Sequence, residues 1–232
     1  FALIFLLATT IAVGILVYAF RHRQVKGANA FIPLLFSVIT WSFFQSLEYA
    51  VVEPAVKILF AKFQYLGIAT IGTTWCFFSY SYSGGKTWGR KYAVLWFAIP
   101  TLTVIAAFTN DFHHLLWPKI EQVSPEPGAN LIYSHGPVFW VIFIYNYVWL
   151  AIGTFTIIKT ALGSREIYRW QMIGLIASAI IPWLGNLVYV SGLSPLPGLD
   201  LTPLGFVLSA FITAWSIFFL RMFDLVPVAR DQ

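Results

Sequence analysis

The run FALIFLLATTIAVGILVYAF, residues 1–20, is the clearest indication of the fold class. It carries no charged residue, and about 20 apolar residues are enough to cross the hydrocarbon core of a bilayer as a helix. Six comparable runs follow, separated by polar breaks. Because backbone groups in lipid must be hydrogen-bonded internally and the runs do not alternate in polarity, we predict an all-α bundle of seven transmembrane helices. These helices are predicted at residues 1–20, 30–52, 56–82, 90–108, 137–161, 167–190 and 203–221.

The composition is typical of a membrane protein. Hydrophobic residues make up 59% of the 232 residues and charged residues 10%, whereas soluble domains carry about 25% charged residues. The formal net charge is +5. The basic residues lie in the breaks between runs or near the ends of the runs, so they indicate topology. The expected partner is the lipid bilayer, not nucleic acid. Cys76 is the single cysteine, which excludes an intrachain disulfide.

The distribution of Lys and Arg predicts the orientation of the bundle, because cytoplasmic loops of membrane proteins carry an excess of these residues. One set of alternate breaks, with the tail, holds Arg21, Arg23, Lys26, Lys86, Arg90, Lys91, Lys159, Arg165, Arg169, Arg221 and Arg230. The opposite set holds Lys57, Lys62 and Lys119 beside Glu53, Asp111, Glu121, Glu126 and Asp200. We therefore expect an outside N-terminus, a cytoplasmic C-terminus, and a multi-pass protein of the prokaryotic inner (cytoplasmic) membrane.

The chain divides into a seven-helix membrane unit, residues 1–222, and a short tail, residues 223–232. The last helix leaves the membrane without a stop signal, so more protein is expected to follow the tail. The longest break, residues 109–136, contains three prolines and is expected to form a cap over the outer end of the bundle.

Glu48 is the polar residue that most needs an explanation, since a carboxylate at the centre of a membrane helix costs roughly 2.5–3.5 kcal/mol on insertion scales. Trp41, Gln45 and Glu48 are spaced i, i+4 and i+7 and share one helix face, which we expect to point into the bundle. Two interpretations remain open: a ligand or proton site reached from outside, or a structural partner of another polar group. The candidate polar partners are Lys62, residues 110–114 and Asn186.

Polar residues of the other helices complete the candidate site. Asn186 lies one turn beyond Pro182, so it either bridges the backbone gap that the proline opens or lines a pocket. In the last helix, Thr202, Phe206, Ser209 and Thr213 share a face that suits close packing or, alternatively, ligand contact. The candidate ligand-binding residues are Trp41, Gln45, Glu48, Gln64, His113, Asn146, Asn186, Asp200 and Phe206.

We predict no catalytic centre, no metal site and no cofactor. His113, His114, His135 and Asp111 lie in or beside the long break, but their spacing does not match a common metal motif. Instead we expect them to belong to a hydrogen-bonded cap in which Asn110 and Trp117 take part. The last helix has no lysine between Thr202 and Leu220, so a retinal Schiff base is excluded.

Short stretches along nearly the whole chain resemble a known family. They are Trp41 with Leu47 and Glu48, FQYLGI at 63–68, Trp75 and Phe78, YSG at 82–84, TNDFHHLLW at 109–117, GPVFW at 136–140, Pro182 with Asn186, LDLTP at 199–203 and DLVPVAR at 224–230. In this order they resemble the N-terminal seven-helix membrane region of prokaryotic sensor histidine kinases, which also precedes diguanylate cyclase modules. The resemblance implies that residues 1–222 form a sensor domain and that residues 223–232 begin a cytoplasmic signalling helix or a linker to a missing output domain. It defines no ligand.

These observations together predict a membrane-embedded, non-enzymatic sensor. It is expected to detect a small molecule or a membrane property at the outer half of the bundle and to act through the last helix on a cytoplasmic histidine kinase or cyclase module. Because such output modules generally act as dimers, we expect a homodimer in the full-length protein. A small seven-helix transporter is the alternative, although the chain shows neither an internal repeat nor matched broken helices.

Overall fold

The computed structural model describes residues 1–85, 90–162, 166–192 and 198–219, with side chains for all of these except residues 90–94 and 166–171. Its helices are α1 (Ala2–Arg21), α2 (Ala28–Ala50), α3 (Pro54–Ile68), α4 (Ile71–Tyr82), α5 (Arg90–Phe108), α6 (Asn110–His113), α7 (Pro137–Leu162), α8 (Glu166–Val190) and α9 (Thr202–Ala214), followed by a π-helical segment (Trp215–Phe219). A hairpin of β1 (Ile120–Gln122) and β2 (Leu131–Tyr133) lies between α6 and α7.

The predicted seven-helix all-α bundle is confirmed. Six spans in the described part of the chain, with α3 and α4 counted as one, are long and apolar enough to cross a membrane, and α5 adds a shorter apolar helix over Leu95–Phe108. The tail at 223–232 lies outside the described residues, as do Lys86, Arg165, Arg221 and Arg230, and the side chains of Arg90, Lys91 and Arg169 are not described. The domain boundary and this part of the charge asymmetry therefore stay predictions.

Small residues on α1 bring it close to its neighbours. Ala8, Ala12 and Ala19 are buried in the main apolar core, where α1 packs on α2 and α9. The opposite face carries large apolar side chains, with Leu3 80% exposed and Leu7 63% exposed. A bundle in lipid has this arrangement, because helices associate through small residues and lipid tails cover the large ones.

The third predicted helix, residues 56–82, is interrupted, which corrects the prediction of one continuous helix. Residues 69–70 form a turn between α3 and α4. Asn146 of α7 spans this break: its Nδ2 donates to Ile68 O over 2.8 Å, and its Oδ1 accepts the Gly72 N–H over 3.2 Å. The buried amide thus satisfies two backbone groups at the break, which would otherwise be costly to leave unpaired in an apolar interior.

The last predicted helix, 203–221, also departs from expectation. It is α-helical only to Ala214 and continues as a π-helix over Trp215–Phe219. A π-helical turn widens the backbone and often marks a functional position. The prediction of one helix is thus corrected to an α-helix that changes its hydrogen-bond pattern at Trp215, and no proline or glycine within Trp215–Phe219 signals the change.

The expected hydrogen-bonded cap is confirmed at Asn110 and Trp117. Asn110 is 2% exposed; its Oδ1 accepts the N–H groups of Leu116 and Trp117, and its Nδ2 donates to Trp117 O. Lys62 of α3 pairs with Asp111 over 2.6 Å. The Asn110 bonds fold the segment on itself, and the ion pair joins it to α3 at the end of the bundle that carries the hairpin, which we call the hairpin end.

Candidate functional site

A single cavity at the hairpin end brings together most of the predicted site residues. It has about 970 Å³ of space not occupied by protein atoms, part of it open to solvent. α2, α3, α7, α8, the start of α9 and the hairpin contribute to its wall. All of the candidate residues except His113 line it, namely Trp41, Gln45, Glu48, Gln64, Asn146, Asn186, Asp200 and Phe206.

Glu48 faces the interior of the bundle, as predicted, and is 7% exposed. Gln64 Nε2 donates to Glu48 Oε2 over 2.5 Å, and the Tyr133 hydroxyl donates to Oε1 over 2.7 Å. The expected polar contact is confirmed, but the predicted partners are wrong. Lys62 is held by Asp111 instead, and the two groups that contact the carboxyl come from α3 and from the hairpin.

Lys57 is a buried cation that contacts the backbone of Glu48 and not its carboxyl group. It is 1% exposed, and its Nζ donates to the backbone oxygen of Glu48 over 3.1 Å. That oxygen belongs to the last turn of α2, whose carbonyls have no partner within the helix. Lys57 therefore completes the end of α2 and does not line the cavity.

The segment that leads into α9 is fastened to α2. Gln45 Nε2 donates to Asp200 O over 3.0 Å and to the Tyr49 hydroxyl over 3.2 Å. Tyr49 in turn donates to Gly198 O over 3.0 Å. The Asp200 Oδ1 accepts the Thr202 N–H over 2.9 Å, which satisfies a free donor at the start of α9.

Asp200 lies between two membrane-spanning helices, and its electrostatics follow from its surroundings. Burial raises the pKa of its carboxyl group from 3.8 to about 6, and the hydrogen bond from Thr202 opposes this effect. Desolvation thus outweighs the hydrogen bond, because removing water disfavours the charged form.

The two asparagines play different parts. Asn146 lines the cavity, but both ends of its amide are used at the α3–α4 break. Asn186 accepts a hydrogen bond at Oδ1 from the Tyr147 hydroxyl over 3.1 Å, and Pro182 lines the same cavity. Asn186 is thus a cavity-wall residue on α8, whether or not it also bridges the backbone gap at Pro182.

His113 lies apart from the cavity. Its Nε2 is 3.1 Å from Thr109 Oγ1, and its Nδ1 accepts the Leu115 N–H over 2.9 Å. Both ring nitrogens thus serve the local loop. No group of three or more His, Cys, Asp or Glu residues close enough to hold a metal ion occurs among the described residues.

Sequence reasoning missed much of the aromatic wall. Tyr133 and His135 lie in the long break, where no periodic pattern indicates a facing direction. His135 stacks on Phe139 at 3.9 Å, and burial lowers the pKa of its imidazole. The remaining missed ring residues are Tyr49, Tyr65, Trp117, Phe143, Tyr147, Trp183 and Tyr189. The aromatic spacing in the fifth run, around Phe139 and Phe143, is the one signal that could have indicated them.

Comparison with known proteins agrees with this architecture. No curated protein matches the chain. A family model described as the N-terminal 7TM region of histidine kinase matches residues 4–227. The match includes the α2 face that carries Glu48, the hairpin and the last helix. The chain therefore belongs to the family of N-terminal seven-transmembrane regions of histidine kinases.

Proposed function

We propose that the chain detects a small molecule that enters the cavity from the hairpin end, and that it passes the signal through α9 to a cytoplasmic output module. The observation that carries this proposal is a shared wall. Asp200 and Thr202 both line the cavity, Thr202 is the first residue of α9, and Asp200 accepts its N–H. A ligand that contacts them acts directly on the first turn of the last helix. The cavity wall is mostly apolar and aromatic with a few polar groups, as is typical of small-molecule sites.

The mechanism is a shift between two packings of the bundle. A ligand can move such an equilibrium only by its difference in affinity for the two states. The Gln45–Asp200 bond links α2 to the start of α9, and Thr213 Oγ1 donates to Ser178 Oγ of α8 over 3.0 Å farther along. A ligand that alters the Gln45–Asp200 contact therefore changes how α9 packs on α8.

The orientation of the bundle supports a signal that travels inward. Arg21 ends α1 at the end opposite the cavity, and Arg23 and Lys26 follow it. Excess Lys and Arg mark cytoplasmic loops, so the cavity opens outward in this arrangement. We further propose the cytoplasmic membrane as the location and a homodimer, joined through the output modules, as the assembly of the full-length protein.

The test compares two neighbouring positions on α8 in the full-length protein. Asn186 lines the cavity, whereas Leu187 is 56% exposed on the outside of the bundle. We expect Asn186→Trp to change autophosphorylation, measured in membrane vesicles, by at least threefold in either direction. Leu187→Trp, the matched control, is expected to leave it within the error of the wild type. Equal effects of the two changes, or no effect of Asn186→Trp, contradict the proposal.

A further inference from the structure

The charged groups that line the cavity are acidic. Glu48 and Asp200 contribute carboxyl groups, and none of the described lining residues is Lys or Arg. His135, which also lines the cavity, is held toward its neutral form because burial lowers the pKa of its imidazole. Lys57, the nearby cation, is directed to the backbone oxygen of Glu48. The space inside the cavity therefore faces two carboxyl groups and no lining cation among the described residues.

Gln45 presents an acceptor that has no partner. The side chain is 2% exposed, and its Oε1 makes no hydrogen bond with any described residue. The orientation of the amide is determined by its other end, since Asp200 O can only accept and so requires the Nε2 donor. Gln45 Oε1 is thus a buried acceptor in the cavity wall, and a ligand group that satisfies it must carry an N–H or O–H donor.

Trp41 lies one turn before Gln45 on the same face of α2, and it is 4% exposed. Its Nε1 donor also has no partner among the described residues. Its ring packs against Phe206 with the centroids 5.5 Å apart. Gln45 Oε1 and Trp41 Nε1 therefore offer one acceptor and one donor on the same face of α2. This arrangement suits a ligand with a donor group and a nearby oxygen.

Aromatic residues from α2, α3, α7 and α8 line the same cavity as these polar groups. The faces of such rings attract cations, by about 0.5–1 kcal/mol at exposed sites and about 2 kcal/mol or more where water is excluded. Rings also contact apolar ligand surface. Carboxyl groups, an unpartnered acceptor and aromatic faces together favour an organic cation over neutral or anionic molecules.

We propose that the cavity binds a small organic ammonium ion that carries at least one N–H and an apolar or aromatic body. This inference rests on the proposed function, because it names the ligand class of the same site. The N–H group donates to Gln45 Oε1, the positive charge lies beside Glu48 and Asp200, and the body of the ligand packs on the aromatic wall. An oxygen acceptor on the ligand would in addition accept from Trp41 Nε1.

The test uses four probes of similar shape on the full-length protein in nanodiscs at pH 7.5. Phenethylamine carries an ammonium group with N–H donors, phenethyltrimethylammonium carries the charge without a donor, 2-phenylethanol is neutral and phenylacetate is anionic. Binding is measured by tryptophan fluorescence and by calorimetry. We expect the dissociation constant of phenethylamine to be at least tenfold lower than those of the alcohol and the acid, and at least threefold lower than that of the trimethyl compound.

Equal or tighter binding of 2-phenylethanol or phenylacetate overturns the charge assignment. A lack of phenethylamine binding up to roughly 10 mM, near the weak limit of a measurable dissociation constant, overturns it as well. Equal binding of the trimethyl compound overturns the part assigned to Gln45 Oε1. These outcomes need no variant and are therefore independent of any folding defect.

A pair of charge-removing variants locates the probe. Glu48→Gln is expected to raise the dissociation constant of phenethylamine at least tenfold. Glu53→Gln removes an exposed carboxylate nearby and is expected to change it less than twofold. Equal effects of the two variants contradict binding at this site. The proposed function is judged separately, by the autophosphorylation of Asn186→Trp and Leu187→Trp, so either idea can fail while the other stands.

Discussion

The phenolic hydroxyl of Tyr133 donates a hydrogen bond to Glu48 Oε1 over 2.7 Å and so joins the hairpin to α2. Tyr133 is paired with Ile120 across the hairpin, and its ring also packs on Trp117 at 4.8 Å. The same carboxyl group accepts from Gln64 of α3. One buried acid therefore connects two helices to the structure that covers the cavity.

Removing the Tyr133 hydroxyl is expected to loosen the hairpin. Tyr133→Phe keeps the ring but leaves Glu48 Oε1 without its donor, and an unsatisfied buried acceptor costs about 1–3 kcal/mol. We expect a lower thermal unfolding temperature in detergent and faster amide hydrogen exchange over residues 120–133.

Tyr18→Phe is the matched control for this change. Tyr18 lies near the C-terminal end of α1, far from the hairpin end, and its ring stacks on that of His22 with the centroids 4.1 Å apart. Its hydroxyl makes none of the hydrogen bonds found among the described residues, so stability and exchange should be unchanged. Unaltered exchange in the hairpin of Tyr133→Phe would show that the bond to Glu48 does not hold the hairpin closed.

The contact between α4 and α7 is expected to be intolerant of added volume. A Cβ atom at Gly72 would lie 2.8 Å from Cα and O of Asn146, which is too close for backbone to accommodate without a shift. Such overpacking costs about 1–3 kcal/mol, and it also disturbs the amide that spans the α3–α4 break. We expect Gly72→Ala to lower the unfolding temperature measurably.

Gly14→Ala provides the control for Gly72→Ala. It lies within α1, and a Cβ atom there meets nothing within 4 Å. Since alanine is favoured over glycine in a helix by about 1 kcal/mol, this change is expected to be neutral or slightly stabilising. A loss of stability in both variants would indicate that glycine flexibility, rather than the close approach to Asn146, explains the effect.

Run length was sufficient to predict the membrane helices to within a few residues. α2, predicted at 30–52, extends over Ala28–Ala50, because bilayer thickness imposes the length of an apolar run. The α3–α4 break could not be predicted in the same way. It is compensated by Asn146, 78 residues from Ile68, and a local pattern carries no information on such a distant partner.

The candidate site was predictable where it depends on helix periodicity. Trp41, Gln45 and Glu48 share a cavity face because the 3.6-residue repeat is a local property. The partners of Glu48 were not predictable, since Tyr133 reaches it only through the register of a hairpin in residues 109–136. The long break contains no alternation strong enough to indicate that register.

The stability of the protein is expected to depend on the titration of Asp200. Its pKa is raised to about 6 in the folded protein against 3.8 in the unfolded chain, so the folded state holds the proton more tightly. The resulting stabilisation is complete below about pH 4, where both states are protonated, and is lost as the pH rises toward 6. It amounts to at most about 3 kcal/mol.

Asp200→Asn isolates this contribution. The asparagine keeps the Oδ1 acceptor for the Thr202 N–H and cannot titrate. We therefore expect the unfolding temperature of the variant to rise relative to that of the wild type between pH 4 and pH 6.5. Glu126→Gln, at an exposed position in the long break, should show no pH-dependent difference. A constant difference between Asp200→Asn and the wild type over this range contradicts the raised pKa.

In the proposed function, a signal from the cavity passes along the contact between α9 and α8. Ser209 Oγ donates to Ser178 O, and Thr213 Oγ1 donates to Ser178 Oγ over 3.0 Å. These hydroxyl groups are buried and small, so they allow the helices to approach closely and to slide or rotate at modest cost. The π-helical segment at Trp215–Phe219 follows directly and offers a place where such a movement can be absorbed or redirected.

A bulky side chain at Ser209 is therefore expected to fix the output while leaving the cavity intact. Ser209 is 7% exposed, whereas its neighbour Leu208 is 50% exposed on the outside of the bundle. We expect Ser209→Phe to hold autophosphorylation of the full-length protein at one level, high or low, whether phenethylamine is present or not, and to change the dissociation constant of that probe less than threefold. Leu208→Phe should respond like the wild type, because its added ring meets lipid. A normal probe-dependent output in Ser209→Phe would contradict transmission of the signal through α9.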